Sequence, residues 1–325
     1  MPIHLAAVPT VVAPWNVELS EAQHTLILYA LTVGVLAFVA GFIRAAVTIR
    51  EVGSRYRTAV LARLGVLSSA CLAYVAVIIE FHRGYDRVGD AWVPNHGAVN
   101  TFALRYAEWT VSVPLIAVEV LAVCALAGVA MRRTRILAMA CGFLMVFCGF
   151  VGAIIVGGGE DLVQLRIWGA ISAVFWVLTN VILWRAATSS ARSLTPEAGK
   201  LLRNAVLLLL AGWAVYPLVY SIQTFAWGGT WTTTMQIGLT VADVLLKLAF
   251  GGVIHRVAKL RTAEDVRAGD DVHPEAIWIS SVKQSDAGAP REVYLADEGM
   301  VHRRRARPPL SEAVPMTTYP DPDDQ

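Results

Sequence analysis

The chain is 325 residues long, 56% hydrophobic and only 16% charged, whereas soluble domains carry about 25% charged residues. Its 27 basic and 25 acidic residues leave a formal net charge of +2, which by itself says nothing about nucleic acid, and no nucleic-acid partner is expected. Apolar blocks of roughly 20–30 residues recur along it, each long enough to cross a hydrocarbon core of about 30 Å. That length excludes an ordinary soluble fold and the short alternating strands of a membrane barrel.

Residues 1–21 read as an extracellular N-terminal segment. They lack a basic n-region, so no cleavable signal peptide is expected, and the first span serves as its own insertion signal. Seven apolar blocks come next, at about 22–49, 56–82, 99–130, 134–157, 162–188, 197–227 and 231–260. They predict an all-α membrane protein, a bundle of seven transmembrane helices over residues 22–260, multi-pass in the plasma membrane with the lipid bilayer as its first partner.

Orientation is set by the basic residues. Arg44, Arg50, Arg55 and Arg57 join the first span to the second, Arg132, Arg133 and Arg135 the third to the fourth, and Arg185, Arg192, Lys200 and Arg203 the fifth to the sixth. On the other side Arg83 and Arg87 are balanced by Asp86 and Asp90, with Glu160 and Asp161 further on. The N-terminus is therefore placed outside and the C-terminus in the cytoplasm.

Residues 261–325 are polar and rich in charge and proline, a composition that predicts a mostly disordered cytoplasmic tail with an unknown partner. Stretches 276–282 and 292–295 suit transient strands, and the basic run 302–307 either touches anionic headgroups or stays solvated. The four cysteines, Cys71, Cys124, Cys141 and Cys148, lie inside predicted spans and read as small core residues. No zinc-type Cys/His spacing and no glycine-rich phosphate loop is present, so no metal is expected.

The polar residues inside the spans carry the functional signal. Lys247 sits mid-span, four residues after Asp243 and on the same helix face. A charge at that depth costs at least about 2.5–3.5 kcal/mol on insertion scales, so it needs a partner or a task. Two readings stand: an ion pair gluing helices, or a lysine that carries a covalent imine beside an acid. The third span holds Arg105, Glu108, Ser112 and Glu119. Glu108 and Glu119 are close to three full turns apart, so they share a stripe and are separated by roughly 16 Å along the axis. Stacked acids suggest a proton path, the alternative being that Glu119 hydrogen-bonds a neighbouring helix. Pro114 kinks this span. Trp168, Gly169 and Trp176 in the fifth span, with Trp213, Tyr216 and Pro217 in the sixth, line a flat ligand pocket or simply pack a core.

Three strings in this order, RYAEW-x-x-S-x-P (from Arg105), WAVYP (Trp213–Pro217) and QIGLTVADVLLK (Gln236–Lys247), resemble the microbial rhodopsins, the xanthorhodopsin and proteorhodopsin branch above all. The resemblance covers residues 22–260. It implies all-trans-retinal bound as a protonated Schiff base on Lys247, with Glu108 as counterion and proton acceptor and Asp243 as second counterion. It further implies Glu119 as cytoplasmic proton donor, Arg105 biasing proton release, and Ser112 as the hydroxyl above the acceptor. Tyr106, Trp109, Met145, Gly149, Trp213 and Tyr216 match positions packing the polyene. Gly169 matches the glycine that in xanthorhodopsin opens a window for a carotenoid antenna, the alternative being easier helix packing. Ile116, at a colour-tuning position, points to green absorption. A homo-oligomer, trimer or pentamer, is implied, and light-driven ion translocation rather than enzymatic turnover.

The chain departs from the family pattern in places. Glu108 replaces the usual aspartate. Aligning the second span on Tyr56 and Tyr74 puts Ala73 where the branch has a histidine linked to the acceptor. The same alignment puts Arg63 where a small hydroxyl residue usually stands near the donor. Arg63 either snorkels to the interface or lies beside Glu119 and favours its ionised form. No carboxylate lies between Pro217 and Asp243, so prompt proton release is not expected. The leading expectation is a light-driven outward proton pump. Its rivals are a photosensor signalling through the tail, a slow or inward proton transporter, and a transporter without retinal; a chloride or sodium pump would need a different third-span motif.

Overall fold

The computed structural model describes residues 11–268; the expected tail features beyond them lie outside the described residues. The chain divides into two units, one comprising residues up to Ile49 with Tyr56–Ala258, the other Arg50–Arg55 with residues from Lys259 onward.

The first unit is a bundle of helices: α1 (Glu21–Val47), α2 (Arg57–Arg83), α3 (Asn100–Ala122), α4 (Gly128–Phe150), α5 (Leu162–Ala191), α6 (Pro196–Trp213), α7 (Val215–Ile222), α8 (Gly229–Val244) and the part of α9 (Gly251–Ala268) up to Ala258. α6 and α7 form the sixth span; α8, a wide π-helical segment Leu245–Phe250 and α9 form the seventh. α3 packs between α2 and α4, and α8 returns against α1. By length and composition six helices among the described residues are able to cross a membrane. The exception is α3, which carries Arg105, Glu108 and Glu119; its 23 residues still span about 34 Å.

Local chemistry sets the helix ends. Ser20 and Gln23 form a reciprocal capping box at α1. Asp161 Oδ1 accepts the Val163 and Gln164 amides at 2.9 and 3.1 Å and starts α5, and Thr195 followed by Pro196 starts α6. The sixth span breaks at Ala214 because Pro217 has no N–H to give the Trp213 carbonyl.

Two short strands absent from the sequence reading, β2 (Tyr85–Val88) and β3 (Ala91–Pro94), pair antiparallel between α2 and α3, and β1 (Leu19–Ser20) adds to the free edge of β3. Gly89 supplies the positive φ of the turn. Gly84 lets the hairpin start close to the bundle: a β-carbon there would lie 2.7 Å from Ala98 Cα. Burial pushes the Tyr85 phenol up, so it stays neutral under the sheet. Residues 11–16 tie down the same end. Trp15 packs on Phe102 at 5.7 Å between ring centroids, Val11 N–H donates to Glu160 O, and Thr232 Oγ1 donates to Pro14 O.

Helix ends differ from the hydropathy reading at two places. The third span stops at Ala122 and the fourth begins at Gly128. Arg132, Arg133 and Arg135 therefore belong to exposed early turns of α4, not to a connection. The run 117–130 is apolar throughout apart from Glu119, so hydropathy cannot place a break that depends on Gly128 at φ +57°. The last helix passes the boundary at 260 and continues to Ala268, because nothing in RTAEDVRA breaks a helix.

Within the second unit, segment 50–55 is bonded to that extension. Gly53 N–H donates to Thr262 Oγ1 at 3.0 Å, Lys259 Nζ pairs with Glu51 at 2.9 Å, and Arg55 reaches Asp265 at 3.4 Å.

Candidate functional site

The seventh span presents Gln236, Thr240, Asp243 and Lys247 at successive spacings of four, three and four, one polar stripe on an otherwise apolar helix. The wide turn Leu245–Phe250 begins just past Asp243 and contains Lys247. A turn of this kind rotates the later residues of the helix about its axis, and such turns recur at functional sites.

Lys247 Nζ lies 2.6 Å from Glu108 Oε2 and 3.2 Å from Asp243 Oδ1. All three residues are buried, at 3%, 5% and 0% exposure. The two carboxylates are held very differently. Asp243 accepts from Tyr74 OH and Tyr216 OH, both at 2.7 Å, from Trp109 Nε1 at 3.0 Å and from Arg105 Nη1 at 3.4 Å. Glu108 has Lys247 on one oxygen, a 3.4 Å contact from Ser69 Oγ on the other, and the Ser112 hydroxyl of its own helix beside it. Charge-assisted donors stabilise a carboxylate strongly, and the two acids are therefore held unequally: four donors besides Lys247 converge on Asp243.

Arg105 closes the opposite side of Asp243. Its guanidinium donates to Tyr74 OH at 2.8 Å, Thr240 Oγ1 at 2.9 Å and Gln236 Oε1 at 3.2 Å. Two buried cations thus face two buried anions, the balance that makes burial tolerable.

A cavity opens from Lys247 and runs between α3, α4, α5 and the sixth span. Trp109, Trp213 and Tyr216 wall it near the lysine, and Trp109 meets Tyr216 edge-on at 5.0 Å. Tyr106, Met145 and Gly149 line its far part, with Ser112 and Ile116 along α3. Trp176 Nε1, also in the wall, is buried without a hydrogen-bond partner among the described residues. Gly169 borders the cavity too, but the room beside it is filled: a β-carbon there would lie 2.7 Å from the Tyr220 ring, which Tyr220 OH anchors by donating to Leu165 O.

Glu119 is buried further along α3 at 2% exposure. Arg63 is buried beside it at 4%, which corrects the snorkelling alternative. Both abut Gly251, whose β-carbon position would be 2.8 Å from Arg63 Nε and 3.1 Å from Glu119 Oε1. Arg63 Nε has no hydrogen-bond partner among the described residues. The guanidinium is held inside because it comes from α2 against α3 and the start of α9, where the missing side chain at Gly251 makes room.

Sequence reasoning left out Tyr74, Ser69, Gln236 and Thr240. The polar stripe ahead of Asp243 was a signal for the last two. Tyr74 and Ser69 lie on α2, and nothing in the sequence says which face of α2 meets α3. Ala73, the position matched to a histidine, has an apolar side chain; α2 reaches Glu108 through Ser69 instead.

Residues 25–260 match the family model described as bacteriorhodopsin-like protein. The chain belongs to this family. It is a microbial, type 1 rhodopsin and so a multi-pass membrane protein. Bacteriorhodopsin of Halobacterium salinarum is 29% identical over 52% of this chain and 62% of its own; the chain spans about three fifths of the curated bacteriorhodopsins first matched. Sensory rhodopsin-2 of Natronomonas pharaonis is 26% identical over 75% of this chain and 95% of its own. Among solved structures, xanthorhodopsin, described as a light-driven ion pump with dual chromophore, is similar at a TM-score of 0.68 and 26% identity, covering 76% of this chain and 98% of that one.

Proposed function

We propose that this rhodopsin is a light-driven proton pump that moves protons outward and uses all-trans-retinal attached to Lys247. The observation that carries it is the unequal pair around one buried amine: Asp243 is held by four further donors, whereas Glu108 pairs with the amine itself at 2.6 Å and otherwise meets serine hydroxyls. The residues present suit the group. An amine at the end of the cavity can condense with an aldehyde, two carboxylates balance the resulting cation, and flat aromatic walls match a conjugated chain. When bound, retinal would supply light absorption and an isomerisation that changes where the nitrogen's proton points.

The chain's own residues do the rest. Glu108 receives the proton on a carboxylate oxygen. Asp243 keeps its charge through Tyr74, Tyr216, Trp109 and Arg105, so the site stays electrostatically anchored while Glu108 is neutral. Glu119, on the same stripe of α3 toward the arginine-rich end, returns a proton to the nitrogen. With the N-terminus outside, this order carries protons outward. A carotenoid antenna belongs to the proposal only at Gly169, where a second pigment would meet Tyr220.

A light sensor is the second reading, favoured by Arg63. An arginine stays charged when buried, and the pumping route through Glu119 gives this neighbouring cation no task. Illumination of unbuffered cells expressing the protein with retinal separates the two. Outward pumping acidifies the medium, and a protonophore abolishes the signal; a visible pigment with no pH change, returning to its dark state over seconds, rejects pumping in favour of sensing.

A further inference from the structure

The mechanism above leaves two hydroxyl neighbours of Glu108 without a role, Ser112 on its own helix and Ser69 on α2; only Ser69 reaches it from another helix. Ser69, half-buried on α2, has a single hydroxyl proton and two acceptors: Val66 O at 3.0 Å, within its own helix, and Glu108 Oε1 at 3.4 Å across to α3. Glu108 Oε2 is taken by Lys247 at 2.6 Å, so Ser69 faces the oxygen that the lysine does not use. A hydroxyl can turn between donating and accepting, whereas the tyrosines and tryptophan around Asp243 are each committed to that carboxylate.

We propose that Ser69 is a positioning residue for Glu108, a hydroxyl switch that serves both of its charge states. With Glu108 ionised, the Ser69 proton turns to Oε1. A proton received on Oε2, the oxygen at Lys247, comes to face Ser69 once the carboxyl group turns about its Cγ–Cδ bond; Glu108 then donates to Ser69 Oγ, and the serine proton turns back to the Val66 carbonyl. No atom is gained or lost, and the oxygen facing α2 keeps a hydrogen-bond partner in both charge states, which a buried polar atom needs. The switch also suits glutamate at this site: the longer side chain puts one oxygen on the lysine and leaves the other within reach of α2. This inference rests on the proposed retinal reading and adds a residue to it.

Light-minus-dark infrared spectroscopy of the retinal-loaded full chain tests it through the C=O stretch of protonated Glu108, assigned by its loss in Glu108→Gln. In Ser69→Ala that band is expected to move to higher frequency, because the carboxyl has lost its partner. Ser69→Thr, which restores a hydroxyl, should return it to the parent position. Ser68→Ala is the control, since Ser68 Oγ bonds Gly65 O in its own helix, and it should leave the band in place. A band unmoved in Ser69→Ala, or moved equally in Ser69→Thr, overturns the proposal. A parent protein that stays colourless with retinal overturns the retinal reading first, and this inference with it.

Discussion

Lys247→Ala is expected to remove the visible absorption band of retinal-treated protein completely, and light-driven acidification with it. Lys247 is the one lysine that lines the cavity. Among the other lysines of the described residues, Lys200 is exposed and Lys259 is paired to Glu51. The truncation also strips the cation from two buried carboxylates. An uncompensated buried charge costs about 3–5 kcal/mol, so the single variant should lose folded yield as well as colour. A double variant, Lys247→Ala with Glu108→Gln, removes one anion along with the cation. It should regain part of that stability, read as thermal midpoint in detergent, and remain colourless. A visible band in either variant would show that the pigment attaches elsewhere.

Glu108→Gln should produce the second largest effect and leave the fold intact. The amide is nearly isosteric, and Lys247 keeps Asp243 at 3.2 Å as its anion. Removing a negative charge 2.6 Å from the nitrogen stabilises the delocalised excited state relative to the ground state, so the band moves to longer wavelength. With no group to receive the proton, acidification should fall at least about a hundredfold, the usual scale for removing a positioned acid or base. Glu108→Asp keeps a carboxylate and should retain transport. If Glu108→Gln pumps as well as the parent, Glu108 is not the acceptor.

The parts of this architecture set by hydropathy and by charge in apolar surroundings were legible in the sequence. Seven blocks marked seven spans because a membrane requires that length. Lys247, Asp243, Arg105, Glu108 and Glu119 stood out because each is costly at its depth, and the structure gathers the first four around one amine. Contacts that depend on rotation of one helix against another were not legible. The hydroxyl of Tyr74 ends on Asp243 only because α2 turns that face inward. Arg63, within reach of a helix end, read equally well as an interfacial residue, and its burial is decided by Gly251 on a distant segment. The π turn around Lys247 leaves no compositional mark in VLLKLAF. The hairpin did leave one: Gly89–Asp90 is a two-residue turn between YDRV and AWVP, overshadowed by the charges on either side.

Chemical trapping tests the central claim most directly. The retinal-loaded protein is treated with borohydride under illumination, which reduces the pigment's linkage to a stable secondary amine, and its peptides are mapped by mass spectrometry. The account predicts a retinyl adduct on Lys247 and on no other lysine. An unmodified Lys247, or an adduct on Lys200 or Lys259, would contradict it.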